Sequence, residues 1–261
     1  MSSLERAAKA CRHSLDALVA LGAELTDAQW DGRTDLPEWT VGDVYAHVVA
    51  GEQWMAEGGL PLPPGPPQPW IEQGVARRRG AGRESVLAEL AEVRAQRELQ
   101  LVSGLPSADA IGWWIWSQSP VPFVVQLTAR AFDLWVHEQD VRRAIRRPGN
   151  LGSPGARVSH DLILQSLPKV VAKGAGVPPG ATVRFTAMGE IPVDFAIHVD
   201  DTGRAAVGAP DDRPSTVHVT LGWQSFLLLC TGRGDRARQE VWVGGDTELG
   251  ERVLAHLNIA P

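Results

Sequence analysis

Alternating apolar runs appear in only one half of the chain, and that asymmetry limits the folds open to it. Up to about residue 147 apolar side chains recur three or four apart, the spacing of a buried helical stripe. Beyond Pro154 helical stretches are joined by short alternating runs, the spacing of a strand with one buried face. An all-helical half followed by an α+β half is therefore expected. Pro148-Gly149-Asn150 marks the change, preceded by Arg142, Arg143, Arg146 and Arg147, which suit the negative end of a helix dipole. The expected domains are residues 1–150 and 151–261.

In the first half, Leu4, Ala7, Ala8, Cys11, Leu15, Leu18, Val19 and Leu25 form one stripe, on which Gly22 allows close approach of a neighbour. A second helix should open at Thr40, because Thr40-Val41-Gly42-Asp43 has the capping-box form. Its apolar face is Val41, Val44, Tyr45, Val48 and Val49, with His47 at the margin. Six prolines between Leu60 and Trp70 exclude a helix or central strand there, and the length of this connection permits a four-helix bundle with one crossover. Further helices are expected over 84–101 and, after the run Trp113-Trp114-Ile115-Trp116 and two prolines, over 123–147. In the second half a helix over 161–173 should be kinked or broken at Pro168. The runs TVRFTA, PVDFAIHV and STVHVTLG read as strands, with a hairpin signal at Asp200-Asp201-Thr202-Gly203. Helices over 223–231 and 246–257 close the chain, the last capped by Asp246.

The composition narrows the partners. A net charge of −6 over 261 residues offers no broad positive field, so neither nucleic acid nor a membrane surface is expected to bind. Two distant cysteines, Cys11 and Cys230, build no disulfide framework, and no stretch resembles a signal peptide or a membrane span, so a cytoplasmic setting is expected. Ten of the aromatic residues are Trp. Trp54, Trp116 and Trp135 suit either a pocket wall or the bundle core.

Chemistry concentrates on the fourth helix. Asp133 and His137, spaced i, i+4, project from one face one turn apart, and a facing His47 would complete a half-shell of two imidazoles and a carboxylate. Such a set leaves a coordination position open, as catalytic zinc sites do, although other divalent metals accept it. From spacing alone, a surface ion pair or a hydrogen-bonded core histidine is the commoner explanation of an Asp and a His one turn apart. Asp140 could orient a ligand or pair with Arg143 or Arg147. Glu138 points away from Asp133 and is set aside, and His13, His160, His198, His218 and His256 show no ligand spacing.

Three separated segments resemble one family. LPEWTVGDVYAHVVAG is similar to the first metal motif of the mycothiol-dependent maleylpyruvate isomerase family, and ARAFDLWVHEQDVRRA to its second. LLLCTGRGD and VWVGGDTELGERVLAHL resemble its C-terminal domain. The resemblance implies a DinB-like metal-binding four-helix bundle followed by a smaller α+β, sterol-carrier-like domain, with the site between them. It implies His47, Asp133 and His137 as ligands of Zn²⁺ or another divalent metal, mycothiol as the thiol cofactor, and Arg233 as the catalytic arginine holding a carboxylate of substrate or mycothiol. Asp133 stands where characterised members carry Glu, one methylene longer. The implied activity is addition of a metal-activated thiolate to a small electrophile, with cis-trans isomerisation of an activated dicarboxylate as the outcome. Mycothiol S-transfer in detoxification or biosynthesis, or a non-catalytic ligand-binding role, are the alternatives.

Overall fold

Reciprocal capping starts the first three helices. Ser2 and Glu5, Thr26 and Gln29, and Thr40 and Asp43 each exchange side-chain and backbone hydrogen bonds at the starts of α1 (Ser3–Ala23), α2 (Asp27–Trp30) and α3 (Val41–Ala56). The structure is a computed structural model that describes residues 1–62, 65–115, 118–210, 214–233 and 235–259. It divides into two units, Met1–Ser159 and His160–Pro261.

The first unit adds α4 (Gln68–Ala76), α5 (Arg83–Ser103), a hairpin of β1 (Ile111–Trp114) and β2 (Ser119–Pro122), and α6 (Phe123–Ala144). Helices α1, α3, α5 and α6 form a bundle in which α1 and α3 each pack against both α5 and α6. Leu15, Leu18, Val44, Val48, Leu90, Leu127 and Leu134 are fully buried in it. Tyr45 donates to the Leu18 carbonyl at 2.8 Å, binding α3 to α1. Gly22 permits this approach: a Cβ there would meet the Tyr45 ring at 3.2 Å and Leu87 at 2.5 Å.

Several expectations are corrected here. Helix α3 is buried nearly all round rather than along one stripe, because α2 and α4 also pack on it. Pro69 does not exclude helix; it lies in the first turn of α4, where the missing N–H costs no hydrogen bond. Trp113 and Trp114 lie in β1, where Trp113 pairs with Pro120 and Trp114 with Ser119. Helix α6 ends at Ala144, short of residue 147, and Arg146 turns the chain at φ 55°.

Helix α7 (Pro154–Lys169) starts in the first unit and continues through Pro168 into a π-helical turn, Val170–Gly174, so the proline widens the helix instead of ending it. The second unit holds β3 (Thr182–Met188), β4 (Val193–Val199), β5 (Ala205–Gly208), β6 (Val217–Gly222), α8 (Trp223–Cys230), β7 (Val241–Gly245) and α9 (Thr247–Ala255). The strand order is β5-β4-β3-β6-β7, with β3 and β6 parallel and the other pairs antiparallel. Alternation puts Val183, Phe185, Val217 and Val219 on the buried face, with Phe226 of α8 edge-on to Phe185 at 6.1 Å. Asp200 accepts from the Thr202 and Arg204 N–H groups at 2.9 Å in the β4–β5 turn. Asp246 caps α9 through the Leu249 N–H. Strands β5 and β7 escape a reading by alternation because they are short edge strands. Among the described residues no helix is long and apolar enough to cross a membrane.

Candidate metal centre

Adjacent packing of α3 and α6 brings together residues 86 positions apart in sequence. His47 Nε2 lies 3.3 Å from Asp133 Oδ2, and His137 Nε2 lies 3.5 Å from Asp133 Oδ1. The two imidazole centroids are 4.7 Å apart at 66°. One ligand atom from each residue lies within 4.8 Å of the other two. Both histidines are buried, whereas the Asp133 side chain is 35% exposed, so the cluster opens to solvent on the carboxylate side. The helical i, i+4 spacing of Asp133 and His137 aims both at one place. The capping box aims His47: Asp43 anchors the start of α3 through Thr40 and also accepts from Arg79 at 2.8 Å.

Partners fix each group further. His137 Nδ1 lies 3.0 Å from Asp140 Oδ2, and Asp140 also accepts from Arg143, which itself pairs with Asp35. Asp140 thus contacts His137 and Arg143 at once. Asp133 Oδ2 accepts from Arg130. Trp39 lies over both imidazoles, with ring centroids 5.1 Å from His47 and 5.8 Å from His137, and donates Nε1–H to Glu72 at 3.0 Å.

Burial opposes charge on all three residues, and their partners decide the outcome. For Asp133, His137, Arg130 and His47 outweigh burial and hold the carboxyl well below its usual range. For His137, Asp133 and Asp140 outweigh burial and raise the imidazole above its ordinary value. For His47 burial prevails over Asp133, and the imidazole is lowered. The three sites thus hold an anionic carboxylate, a proton-retaining imidazole and a readily neutral one.

Arg233 lies in the second unit, in the turn after α8, and donates to the Thr231 carbonyl at 2.6 Å. Glu138 is fully buried, bound to Arg142 at 2.7 Å and Asn150 at 2.6 Å, and burial raises its carboxyl pKa. Trp135 is core, Trp54 is half-buried against Trp70, and Trp116 lies outside the described residues. No other histidine joins such a cluster among the described residues. Sequence reasoning missed Trp39, although it stands directly before the capping box. It also missed Arg130, which precedes Asp133 by one helical turn, and the fully buried Glu52.

Residues 11–142 match the mycothiol maleylpyruvate isomerase N-terminal domain, and residues 157–252 match the MDMPI C-terminal domain. The crystal structure of the mycothiol-dependent maleylpyruvate isomerase aligns over 92% of each chain at 14% identity with a TM-score of 0.60. A histidine-to-alanine mutant of that enzyme aligns over 88% of this chain and 90% of its own at 14% identity and a TM-score of 0.56. These likenesses are likenesses of fold. Sterol Carrier Protein 2 from Yarrowia lipolytica covers 39% of this chain and 91% of its own at 18% identity, with a TM-score of 0.28 that carries no argument. The search of curated proteins gives no match. Matched in sequence over both its helical and its α+β regions, the chain belongs to the mycothiol maleylpyruvate isomerase family.

Proposed function

We propose that this protein is a divalent-metal enzyme that uses mycothiol to isomerise a small activated cis-dicarboxylate of the maleylpyruvate type. The observation that carries the proposal is the convergence of His47, Asp133 and His137 within 4.8 Å, in a chain whose family is named for that thiol and that reaction. The donor set suits the group: two imidazole nitrogens and one carboxylate oxygen hold a divalent cation such as Zn²⁺ and leave room for an exogenous ligand on the exposed Asp133 side.

When bound, the cation and mycothiol supply a thiolate at neutral pH, whose reversible addition frees a double bond to rotate. The side chains prepare for that chemistry. Asp140 accepts a hydrogen bond from His137 Nδ1–H, which keeps that proton in place and so leaves Nε2 as the ligand atom. Burial keeps His47 neutral and able to donate. Asp133 stays ionised and supplies the one negative charge of the set. Trp39 closes one flank of the imidazoles against water. Arg233 is assigned the carboxylate of the substrate or of mycothiol, to which its planar fork is matched. Neither cysteine of the chain competes as nucleophile, since both are buried and free, and burial pushes the Cys11 thiol up to about 12. Two free cysteines also suit a reducing cytoplasm.

The test is incubation of zinc-loaded protein with mycothiol and a cis-dicarboxylate, with product geometry read by proton NMR. A trans product formed only with thiol present, and lost in His137→Ala, supports the proposal. A stable thioether would assign the protein to mycothiol transfer, and unchanged substrate with no thiol consumed would remove the enzyme reading.

A further inference from the structure

A chain of buried charges runs from α5 through α3 to the metal cluster. Arg97 donates to Glu52 Oε2 at 2.8 Å, and Arg130 donates Nε–H to Glu52 Oε1 at 2.6 Å. Arg130 Nη1 then reaches Asp133 Oδ2, while Nη2 donates to the Val48 carbonyl at 3.2 Å. Glu52 is 0% exposed, Arg97 2% and Arg130 7%. Gly51 makes room for this arrangement, since a Cβ there would stand 2.6 Å from Arg130 Cζ. Removing such ions from water costs several kcal/mol each, and exact pairing does no more than offset that cost, so stability alone gives little reason to keep them. The chain of charges ends on the one carboxylate of the cluster.

We propose that Arg130 is a positioning residue for Asp133: clamped by Glu52 and Val48, it tethers one carboxylate oxygen and keeps the other turned toward His137 and the shared coordination space. This rests on the reading that His47, Asp133 and His137 bind a cation. Asp has a short side chain with two rotatable bonds, and with Oδ2 held by a guanidinium that cannot itself move, Oδ1 is delivered 3.5 Å from His137 Nε2 before any cation arrives. Glu52 and Arg97 act one step further out, as the anchor of the tether.

The experiment is titration of apo-protein with Zn²⁺ against a competing chromophoric chelator, in the native chain and in Arg130→Gln, Arg130→Lys and Gly51→Ala, with circular dichroism confirming that each apo variant is folded. Loss of the tether weakens zinc binding about 10- to 100-fold in Arg130→Gln, the range found when groups supporting metal ligands are removed. Arg130→Lys recovers part of it, because the charge returns without the fork. Gly51→Ala keeps every charge and improves helix propensity, yet displaces the guanidinium, and it also weakens binding. If Arg130→Gln does not fold, Gly51→Ala decides. Native or tighter zinc affinity in folded Arg130→Gln or Gly51→Ala overturns the role of Arg130 alone. Absence of zinc uptake by the native protein overturns the metal reading and this one with it.

Discussion

His137 and Asp140 face each other across one helical turn, with Nδ1 and Oδ2 3.0 Å apart and the carboxylate fully buried. This pair determines which imidazole nitrogen points at Asp133. Arg143 and Asp35 extend the support into the loop that carries Trp39, so the segment before α3 and the end of α6 hold the same histidine.

Asp140→Asn tests that support. The amide keeps the shape but no longer stabilises the proton on Nδ1, and zinc affinity should fall about 10- to 100-fold while the variant stays folded. Competition titration measures it, and an unchanged affinity would remove Asp140 from the account.

The pH dependence of metal uptake follows from His137. Its pKa is raised because Asp133 and Asp140 outweigh burial, so below that raised value a proton must leave Nε2 before a cation binds. Zinc affinity should drop about tenfold per pH unit of acidification once the solution is below the His137 pKa. The apo-protein responds with the opposite sign: the raised pKa contributes stability that is present below the unfolded value and is lost as pH rises through the folded one. Affinity titrations and urea unfolding over one pH series check both slopes.

Acid unfolding should report Glu52. Burial alone would raise its pKa, but Arg130 and Arg97 outweigh it and hold the carboxyl below its ordinary value. The unfolded chain, with a Glu pKa of about 4.3, takes up the proton first. The contribution of Glu52 is therefore complete above that value and is lost as pH falls toward the depressed folded pKa. Glu52→Gln, which leaves two buried guanidiniums without their carboxylate, should cost about 3–5 kcal/mol at pH 7 and flatten the acid limb. Urea midpoints from neutral pH downward provide the comparison.

The thiol for chemistry should come only from outside the chain. Cys11 is fully buried with its pKa pushed up to about 12, and Cys230 is buried and raised further. Alkylating reagents should label neither in the folded protein, and Cys11→Ala should keep its zinc affinity. Rapid labelling under native conditions would contradict this.

Much of the fold was legible because local chemistry and tertiary packing agree. Thr40 and Asp43 form the expected capping box, the strand alternation survives as β3, β4 and β6, and Asp246 caps the last helix. Asp133 and His137 were legible as a pair from helical spacing, but nothing in spacing connects them to His47, because only the packing of α3 on α6 does so. Proline hid α4, since a residue that breaks a helix interior is welcome in its first turn. Arg97, Arg130 and Glu52 were overlooked for a related reason: charged residues on a helix normally mark its wet face, and here mutual pairing lets them be buried. Their one sequence trace is Arg130 at i−3 from Asp133, opposite a glycine on the facing helix.

The central claim is that His47, Asp133 and His137 jointly hold one divalent cation. Elemental analysis of the purified native chain after zinc loading and dialysis, beside His47→Ala and His137→Ala, tests it most directly. The account predicts about one zinc per native chain and loss of that zinc in both folded variants. Retention of stoichiometric zinc by both variants, or none in the native protein, would contradict it.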